Sequence, residues 1–253
     1  MRLSPQKAVK RSLLGASLAL SALALTGCEN GSVYGYEKDL SSVNEVSWHL
    51  WRGAWLAAAV VGIFTAVLIL WPVLRHRRKE GDPQYPKQTQ YNVPVEVAYT
   101  IIPFIIVAVL FYFTARDEAT IIAKEPSKVM HTIDVTGIQW SWQFGYQDGG
   151  PNAVVTGTPA QPPTLVLPQG ERVRFNIHSN DVVHGFWIPA FMIQIQNLPG
   201  VTNHIEFTAN KLGEYPGRCN ILCGRNHSQM VFKVKVVTPA EYDTYVETLK
   251  AGA

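Results

Sequence analysis

Two long stretches with almost no charge constrain this chain more than any other feature of its sequence. Residues 53–74 contain no Asp, Glu, Lys or Arg, and residues 91–115 contain only one of them, Glu96. A helix rises 1.5 Å per residue, so the first stretch would be about 33 Å long, enough to cross a membrane. Tryptophans lie near both of its ends, where aromatic anchors are typical. The sequence therefore predicts membrane-spanning helices at 54–74 and 93–115, with a helical hairpin in a soluble core as the alternative.

The basic residues predict how this pair of helices is oriented. The segment between them, 75–92, carries five Lys or Arg residues, whereas the segment 28–53 carries two. Short loops rich in Lys and Arg stay on the cytoplasmic side of a membrane. We therefore expect a cytoplasmic 75–92 loop in a bacterial cytoplasmic membrane, with 28–53 and the chain from residue 116 onward on the outer face.

The first residues have the pattern of a secretion signal. Lys7, Lys10 and Arg11 precede an uncharged stretch at 12–25 that is too short to span a membrane comfortably. Leu-Thr-Gly-Cys follows, and it resembles the processing site of bacterial lipoproteins, where the chain is cut before the cysteine and that cysteine is acylated. We expect residues 1–27 to be a signal peptide and Cys28 to be lipidated. An ordinary signal peptide that happens to contain a cysteine is the alternative.

Composition excludes several classes of protein. Charged residues make up 16% of the chain, against about 25% in typical soluble proteins, and 47% of the residues are hydrophobic. Such a chain is too hydrophobic to be disordered, and its three cysteines are too few for a disulfide-dense scaffold. The net charge of +3 is too small to suggest that it binds nucleic acid.

The outer segment, 116–253, is long enough for one compact domain. Short β-type runs between Gly and Pro residues predict a β-sandwich, and an amphipathic stretch at 240–249 predicts a surface helix. The predicted strands lie at 129–135, 139–146, 164–168, 172–178, 204–209 and 230–237.

The residues that can carry chemistry are concentrated near the end of this segment. Cys219, Cys223, His227 and Met230 fall within twelve residues, and His184 lies 35 residues before Cys219. Sulfur ligands select Cu(I), zinc or iron–sulfur clusters, and imidazole suits copper and zinc. A mononuclear blue-copper site uses one cysteine, so the second thiolate allows two metal ions to be bridged.

Two other sites fit the same residues. Cys219 and Cys223 could form a disulfide in an oxidising outer compartment. The two cysteines and two histidines could instead hold a tetrahedral zinc ion, which would leave Met230 without a role. The remaining histidines are typical of surface or core positions: His49, His76, His131, His178 and His204.

With these residues in view, the chain resembles subunit II of the haem–copper cytochrome c oxidases over almost its whole mature length. The resemblance rests on Cys-x3-Cys-x3-His-x2-Met at 219–230, Asp-Val-Val-His at 181–184, the aromatic run at 139–144 and Glu-x3-Thr-x2-Pro at 96–103. It implies a cupredoxin-like domain behind a transmembrane hairpin. It also implies a subunit that takes electrons from a c-type cytochrome and passes them to subunit I, where oxygen is reduced.

The resemblance further implies roles for single residues. Trp140 would be the point of electron entry, and Glu96 would lie at the mouth of a proton channel in subunit I. From the residues alone, Glu96 is equally open to being an interfacial glutamate that reaches water. The ligands of a dinuclear copper A centre would be His184, Cys219, Cys223, His227, Met230 and the backbone carbonyl of Ile221.

The chain also departs from the family pattern. Ile221 replaces a glutamate that helps to bind Mg²⁺ or Mn²⁺ at the interface between subunits, and Gln-Ile-Gln at 194–196 replaces Lys-x-Asp. The presence of that interface metal is therefore doubtful. Asn180 stands where an acidic docking residue is common, which weakens the case for a strongly basic cytochrome c. A membrane-tethered protein for copper delivery or sensing is the alternative function, but two spans and an intramembrane Glu96 disfavour it.

Overall fold

The structure is a computed structural model that describes residues 35–85 and 88–252. It begins with two long helices, α1 at Asn44–Arg75 and α2 at Val93–Ile121, each long and apolar enough to cross a membrane. Most of their apolar side chains are exposed, so the helices do not form the core of a soluble domain. The predicted signal peptide and Cys28 lie outside the described residues.

Both helices are longer than the uncharged stretches in the sequence. α1 begins ten residues before the predicted span, and α2 continues six residues beyond its own. Hydropathy marks only the part of a helix that fits a membrane core, whereas polar residues such as Arg116 can continue the helix outside it. At its other end α2 begins where predicted, because the side chain of Asn92 accepts a hydrogen bond from the Val95 N–H at 3.4 Å.

Within the described part of the chain, ten strands follow, and they form the two sheets of a sandwich with a helix, α3, at the end. The predicted fold class, a helical hairpin followed by an all-β cupredoxin-like domain, is confirmed. The strands are β1 His131–Ile138, β2 Ser141–Tyr146, β3 Val154–Thr156, β4 Thr164–Pro168, β5 Arg172–Ser179, β6 His184–Ile188, β7 Ile193–Asn197, β8 Asn203–Thr208, β9 Gly213–Cys219 and β10 Val231–Val237, and α3 is Pro239–Ala251.

The strand order brings distant parts of the sequence together. One sheet has the order β3-β2-β1-β5-β8 and the other has the order β4-β10-β9-β6-β7. β1 is parallel to β5 and β10 is parallel to β4, whereas the other neighbours are antiparallel. Along β5, buried Val173, Phe175 and Ile177 alternate with more exposed residues, so one face of its sheet lines the core.

The sequence did not predict four of these strands: β3, β6, β7 and β9. β9 contains Pro216 and Gly217, which are both unfavourable in strands. The structure explains the glycine, because a Cβ at Gly217 would lie 2.2 Å from the ring of Phe232 on β10. The strand predicted at 139–146 starts two residues later, since Gln139 and Trp140 form the turn between β1 and β2.

Two segments next to the helices attach the β domain to the hairpin. Before α1, the Ser42 N–H donates to the Thr208 carbonyl at 2.9 Å. After α2, the Glu125 N–H donates to Glu206, a buried carboxylate that also pairs with two arginines of β5. Burial alone would raise the pKa of Glu206, but these hydrogen bonds lower it. Both of these contacts are made at β8, while Asn44 and Ser47 of α1 donate to carbonyls between β6 and β7.

Candidate metal centre

One end of the sandwich gathers three of the residues singled out in the sequence. His184 begins β6 and Cys219 ends β9, and these two strands are neighbours in one sheet. Cys223 lies in the loop that follows. All three side chains are buried, and their ligand atoms lie within 4.8 Å of one another. Three soft or borderline donors at this spacing can hold a metal ion.

The two cysteines are free thiols in the structure. Their Sγ atoms are 3.9 Å apart, whereas a disulfide bond is about 2.05 Å long. The structure therefore shows no disulfide between them. The Ile221 carbonyl oxygen lies 3.2 Å from the Sγ of Cys219, so its backbone faces the site whatever side chain the residue carries.

His227 and Met230 lie against the other thiol. The Sγ of Cys223 is 3.5 Å from Nδ1 of His227 and 3.7 Å from Sδ of Met230. Met230 is fully buried, which places its thioether in the site rather than at the surface. Zinc sites are built from Cys, His and carboxylate ligands, whereas thioethers suit Cu(I). This residue therefore favours copper over the zinc alternative.

The histidine ring is oriented as a metal ligand would be. Nε2 of His184 lies 2.7 Å from Oδ1 of Asp181, while its Nδ1 is buried and has no hydrogen-bond partner. Metal-binding histidines usually hold one ring nitrogen on a carboxylate or carbonyl and turn the other toward the metal. The buried, unpartnered Nδ1 shows that the donor set fits a metal ion.

The pKa values of the two thiols are shifted in opposite directions. Burial alone would raise the pKa of Cys219, but the nearby His184 imidazole and the Gly185 backbone lower it to about 6. Burial and the charge of Cys219 raise the pKa of Cys223 to about 12. Two thiolates this close repel each other, so a cation between them is needed to keep both deprotonated.

Trp140 links the site to the protein surface. Its half-buried indole donates from Nε1 to the Cys223 carbonyl at 3.2 Å, and the Gln139 side chain donates to the same oxygen at 2.8 Å. Gly224 permits this approach, because a Cβ there would lie 3.2 Å from the indole. Trp142, by contrast, is fully buried in the core beneath the site.

Asp181 joins these two parts of the site, and only its place in a motif marked it in the sequence. Its Oδ2 accepts from the Gln139 N–H at 2.7 Å, and its Oδ1 faces His184. One carboxylate thus holds both the turn that carries Trp140 and the ring of a candidate ligand. The signal in the sequence was its spacing three residues before His184, which places both ends of the contact on one short loop.

Glu96 lies far along the chain from this cluster, in the first turn of α2. Its Oε1 accepts from the Asn92 N–H at 3.3 Å, so the carboxylate caps the helix.

The residues where the chain departs from the family pattern lie close to the thiols. The Asn220 side chain donates to Gln194, and Gly185 lies against Ile221. Neutral amides and an aliphatic group therefore occupy this edge of the site.

Comparison with known proteins identifies the family. Residues 160–237 match the family model described as cytochrome c oxidase subunit II, periplasmic domain. The probable cytochrome c oxidase subunit 2 of Streptomyces coelicolor is 37% identical, and the match covers 97% of this chain and 89% of that protein. The chain belongs to the cytochrome c oxidase subunit 2 family. The subunit 2 of Mycobacterium tuberculosis H37Rv is 32% identical over 96% of this chain and 83% of that protein.

Solved structures of subunit 2 proteins are also similar in sequence. The periplasmic domain of subunit II (CoxB) of Bradyrhizobium japonicum is 32% identical to this chain. The match covers 49% of this chain and 96% of the CoxB domain, with a TM-score of 0.44. A subunit II domain solved in a mixed disulfide with a thioredoxin-like protein is also 32% identical. The match covers 51% of this chain and 98% of that domain, with a TM-score of 0.46. Family membership and the His184–Cys219–Cys223 cluster together indicate a copper site in a membrane-anchored oxidase subunit.

Proposed function

We propose that this subunit is the electron-entry subunit of a terminal oxidase. It accepts electrons from a c-type cytochrome at a dinuclear copper A centre and passes them to the haem–copper subunit, where oxygen is reduced to water. The observation that carries the proposal is the pair of free, buried thiols 3.9 Å apart beside a histidine nitrogen without a partner. Copper delivery or sensing needs neither the two membrane-compatible helices nor membership in an oxidase family.

The contacts at the site support a role for each proposed ligand. Bound copper would supply a store for one electron, shared between two ions. The thiolates of Cys219 and Cys223 would hold the copper ions, and Asp181 orients the ring of His184 toward them. The other ligands would be His227, Met230 and the carbonyl of Ile221.

The same proposal includes the arrangement in the membrane. The helices α1 and α2 cross the cytoplasmic membrane of a bacterium, the loop 75–92 faces the cytoplasm, and the β domain lies outside. Cys28 is lipidated on the outer face. Subunit I and the other oxidase subunits cover the apolar sides of the helices, which explains why so many of these side chains are exposed.

Electron paramagnetic resonance of the purified, copper-loaded full-length chain tests the dinuclear centre. An electron shared equally by two copper nuclei of spin three-halves gives seven hyperfine lines, whereas one nucleus gives four. We expect two copper ions per chain and the seven-line pattern. A protein with one copper and four lines, or with bound zinc and no signal, would contradict the proposal.

We expect the carboxylate of Glu96 to collect protons from the cytoplasm for a channel in subunit I. Glu96→Gln keeps an oxygen that can accept from Asn92 N–H, and thus the helix cap, but it cannot carry a proton. Oxygen turnover of the assembled oxidase should therefore fall at least about tenfold, a barrier increase of about 1.4 kcal/mol. The measurement is steady-state oxygen uptake, with stopped-flow reduction of the copper as a second readout.

Glu96→Ala removes both the proton carrier and the cap, so comparing the two variants separates their effects. Slow turnover in Gln and Ala variants alike, with normal electron entry, supports the proton role. Normal turnover in the Gln variant would restore the interpretation that Glu96 is only an interfacial residue and helix cap.

The assembled oxidase should bind Mn²⁺ weakly or not at all at the edge near Ile221. Hard cations such as Mg²⁺ and Mn²⁺ require oxygen ligands, commonly carboxylates and water. Ile221 offers no side-chain oxygen, and the Gln194 amide is already paired with Asn220. Manganese resonance of oxidase purified from cells grown in high Mn²⁺ measures this. Ile221→Glu should raise the affinity, and a stoichiometric six-line signal in the unmodified oxidase would show that other groups bind the ion.

A further inference from the structure

Three loops surround the exposed edge of Trp140, and we call them the donor face: residues 139–140, 180–183 and 220–230. They are held together by bonds already described, since Asp181 accepts from Gln139 N–H and Trp140 donates to the Cys223 carbonyl. Any partner that delivers an electron through the indole of Trp140 must therefore contact this face.

The donor face has very few charges. Its seventeen residues include only two charged at neutral pH, Asp181 and Arg225. The Asp181 carboxylate is occupied, because it accepts from the backbone N–H groups of Gln139 and Val182 and also contacts His184. Arg225 is exposed, directly after Gly224, which lies against the indole. The face therefore offers a partner no free carboxylate near Trp140.

The two loops that are hydrogen-bonded to Gln139 and Trp140 each expose an apolar side chain. Leu222, between the two cysteines, is 81% exposed, and Val182 is 37% exposed. An exposed leucine next to Cys223, whose carbonyl accepts from Trp140, forms an apolar anchor of the kind that dominates binding when it is covered. The geometry that exposes Leu222 follows from the loop itself, since its neighbour Cys223 turns inward to the site.

We infer that the donor face selects a c-type haem domain with an apolar rim around its haem edge and no excess of basic residues there. This inference rests on the proposed function. Strongly basic donors gain their association rate from acidic surfaces, and that gain disappears with salt. A face without free carboxylates cannot steer such a donor. Contact between apolar rims, centred on Leu222, supplies the association instead.

Stopped-flow reduction of the copper in the assembled oxidase tests this against two ferrous c-type cytochromes, one strongly basic and one acidic, between about 20 and about 500 mM ionic strength. We expect the second-order rate constant for each donor to change less than about threefold across this range, whereas electrostatic steering would change it about tenfold or more. A tenfold fall with salt for the basic donor would overturn the inference while leaving the proposed function intact.

Leu222→Ser should lower the rate constant about tenfold for both donors, because the covered apolar side chain is lost. Leu212→Ser is the matched control: Leu212 is also exposed, but it precedes the opposite end of β9, and its variant should react like the unmodified oxidase. Equal rates in the two variants would overturn the inference. Leu222→Asp should introduce a steep salt dependence for the basic donor alone.

The same experiment separates failure of the inference from failure of the proposed function. A small reductant such as dithionite reports whether the copper in each variant is present and reducible. If dithionite reduces the copper but neither cytochrome does so at any ionic strength, the electron-entry function itself is wrong. If both cytochromes reduce it with a steep dependence on salt, only the apolar donor face is wrong.

Discussion

Cys219→Ser and Cys223→Ser should each abolish the shared-electron copper signal and lower copper affinity by more than about 100-fold, the upper end of what loss of a supporting residue costs. Each Sγ lies within 3.9 Å of the other and in contact with a further candidate ligand, so neither sulfur can be replaced by its neighbour. Serine keeps the size of the side chain but is a hard donor with a far higher pKa. Copper content and the resonance spectrum measure the loss.

Cys28→Ser is the matched control, because it is the same chemical change at the one cysteine of the sequence that is not a proposed ligand. It should leave copper content and the hyperfine pattern unchanged and should remove only the lipid. If either of the two loop variants retained two coppers and seven lines, its sulfur would not be a bridge, and the dinuclear assignment would fail.

Trp140→Ala should slow electron entry from a c-type cytochrome by more than about tenfold, which corresponds to about 1.4 kcal/mol in the activation barrier. The indole is the half-buried group that connects the surface to the Cys223 carbonyl, and alanine leaves a gap in its place. Copper content should remain normal, because the indole donates to the Cys223 carbonyl and not to a proposed ligand atom. Stopped-flow reduction of the copper, compared with reduction by dithionite, measures the effect.

Two further variants locate the cause. Trp140→Phe keeps an aromatic ring but loses the N–H donated to Cys223, so a partial loss of rate would measure the contribution of that hydrogen bond. Trp142 is fully buried, and Trp142→Ala should destabilise the domain by about 3–5 kcal/mol rather than act on electron entry alone. Slow electron entry in a stable Trp142→Ala protein, with normal entry in Trp140→Ala, would show that Trp142 and not Trp140 is the entry point.

The metal site and the membrane-compatible helices could be predicted from the sequence, because both depend on residues that are close together in the chain. Cys219, Cys223, His227 and Met230 fall within twelve residues, so their spacing predicted a metal site for soft ligands, with a disulfide as one alternative. The membrane-compatible helices were equally clear, because a lipid environment demands an unbroken apolar stretch. Their outer ends were not, since helix continues there through polar residues that hydropathy does not mark.

The strands around the site could be predicted only in part. β5 alternates buried and exposed residues, and such a pattern reports one-sided burial directly. β9 does not, because Pro216 and Gly217 are tolerated for reasons that lie on another strand: the ring of Phe232 fills the space a side chain would need. Propensity describes a residue alone, whereas this position is decided by its neighbour on β10.

The types of candidate ligand, the two helices and the β class of the outer domain could be predicted, because each depends on residues close together in the chain. The assembly of the site could not be predicted, because it depends on contacts between distant residues. The pairing of β6 with β9 brings His184 to Cys219 across 35 residues, and burial separates Trp140 from Trp142 although both look alike in the sequence. Asp181 gained its role in the same way, since a carboxylate that joins a turn to a histidine requires both partners to be in place. Contacts between distant strands depend on register and packing, and no local pattern encodes them.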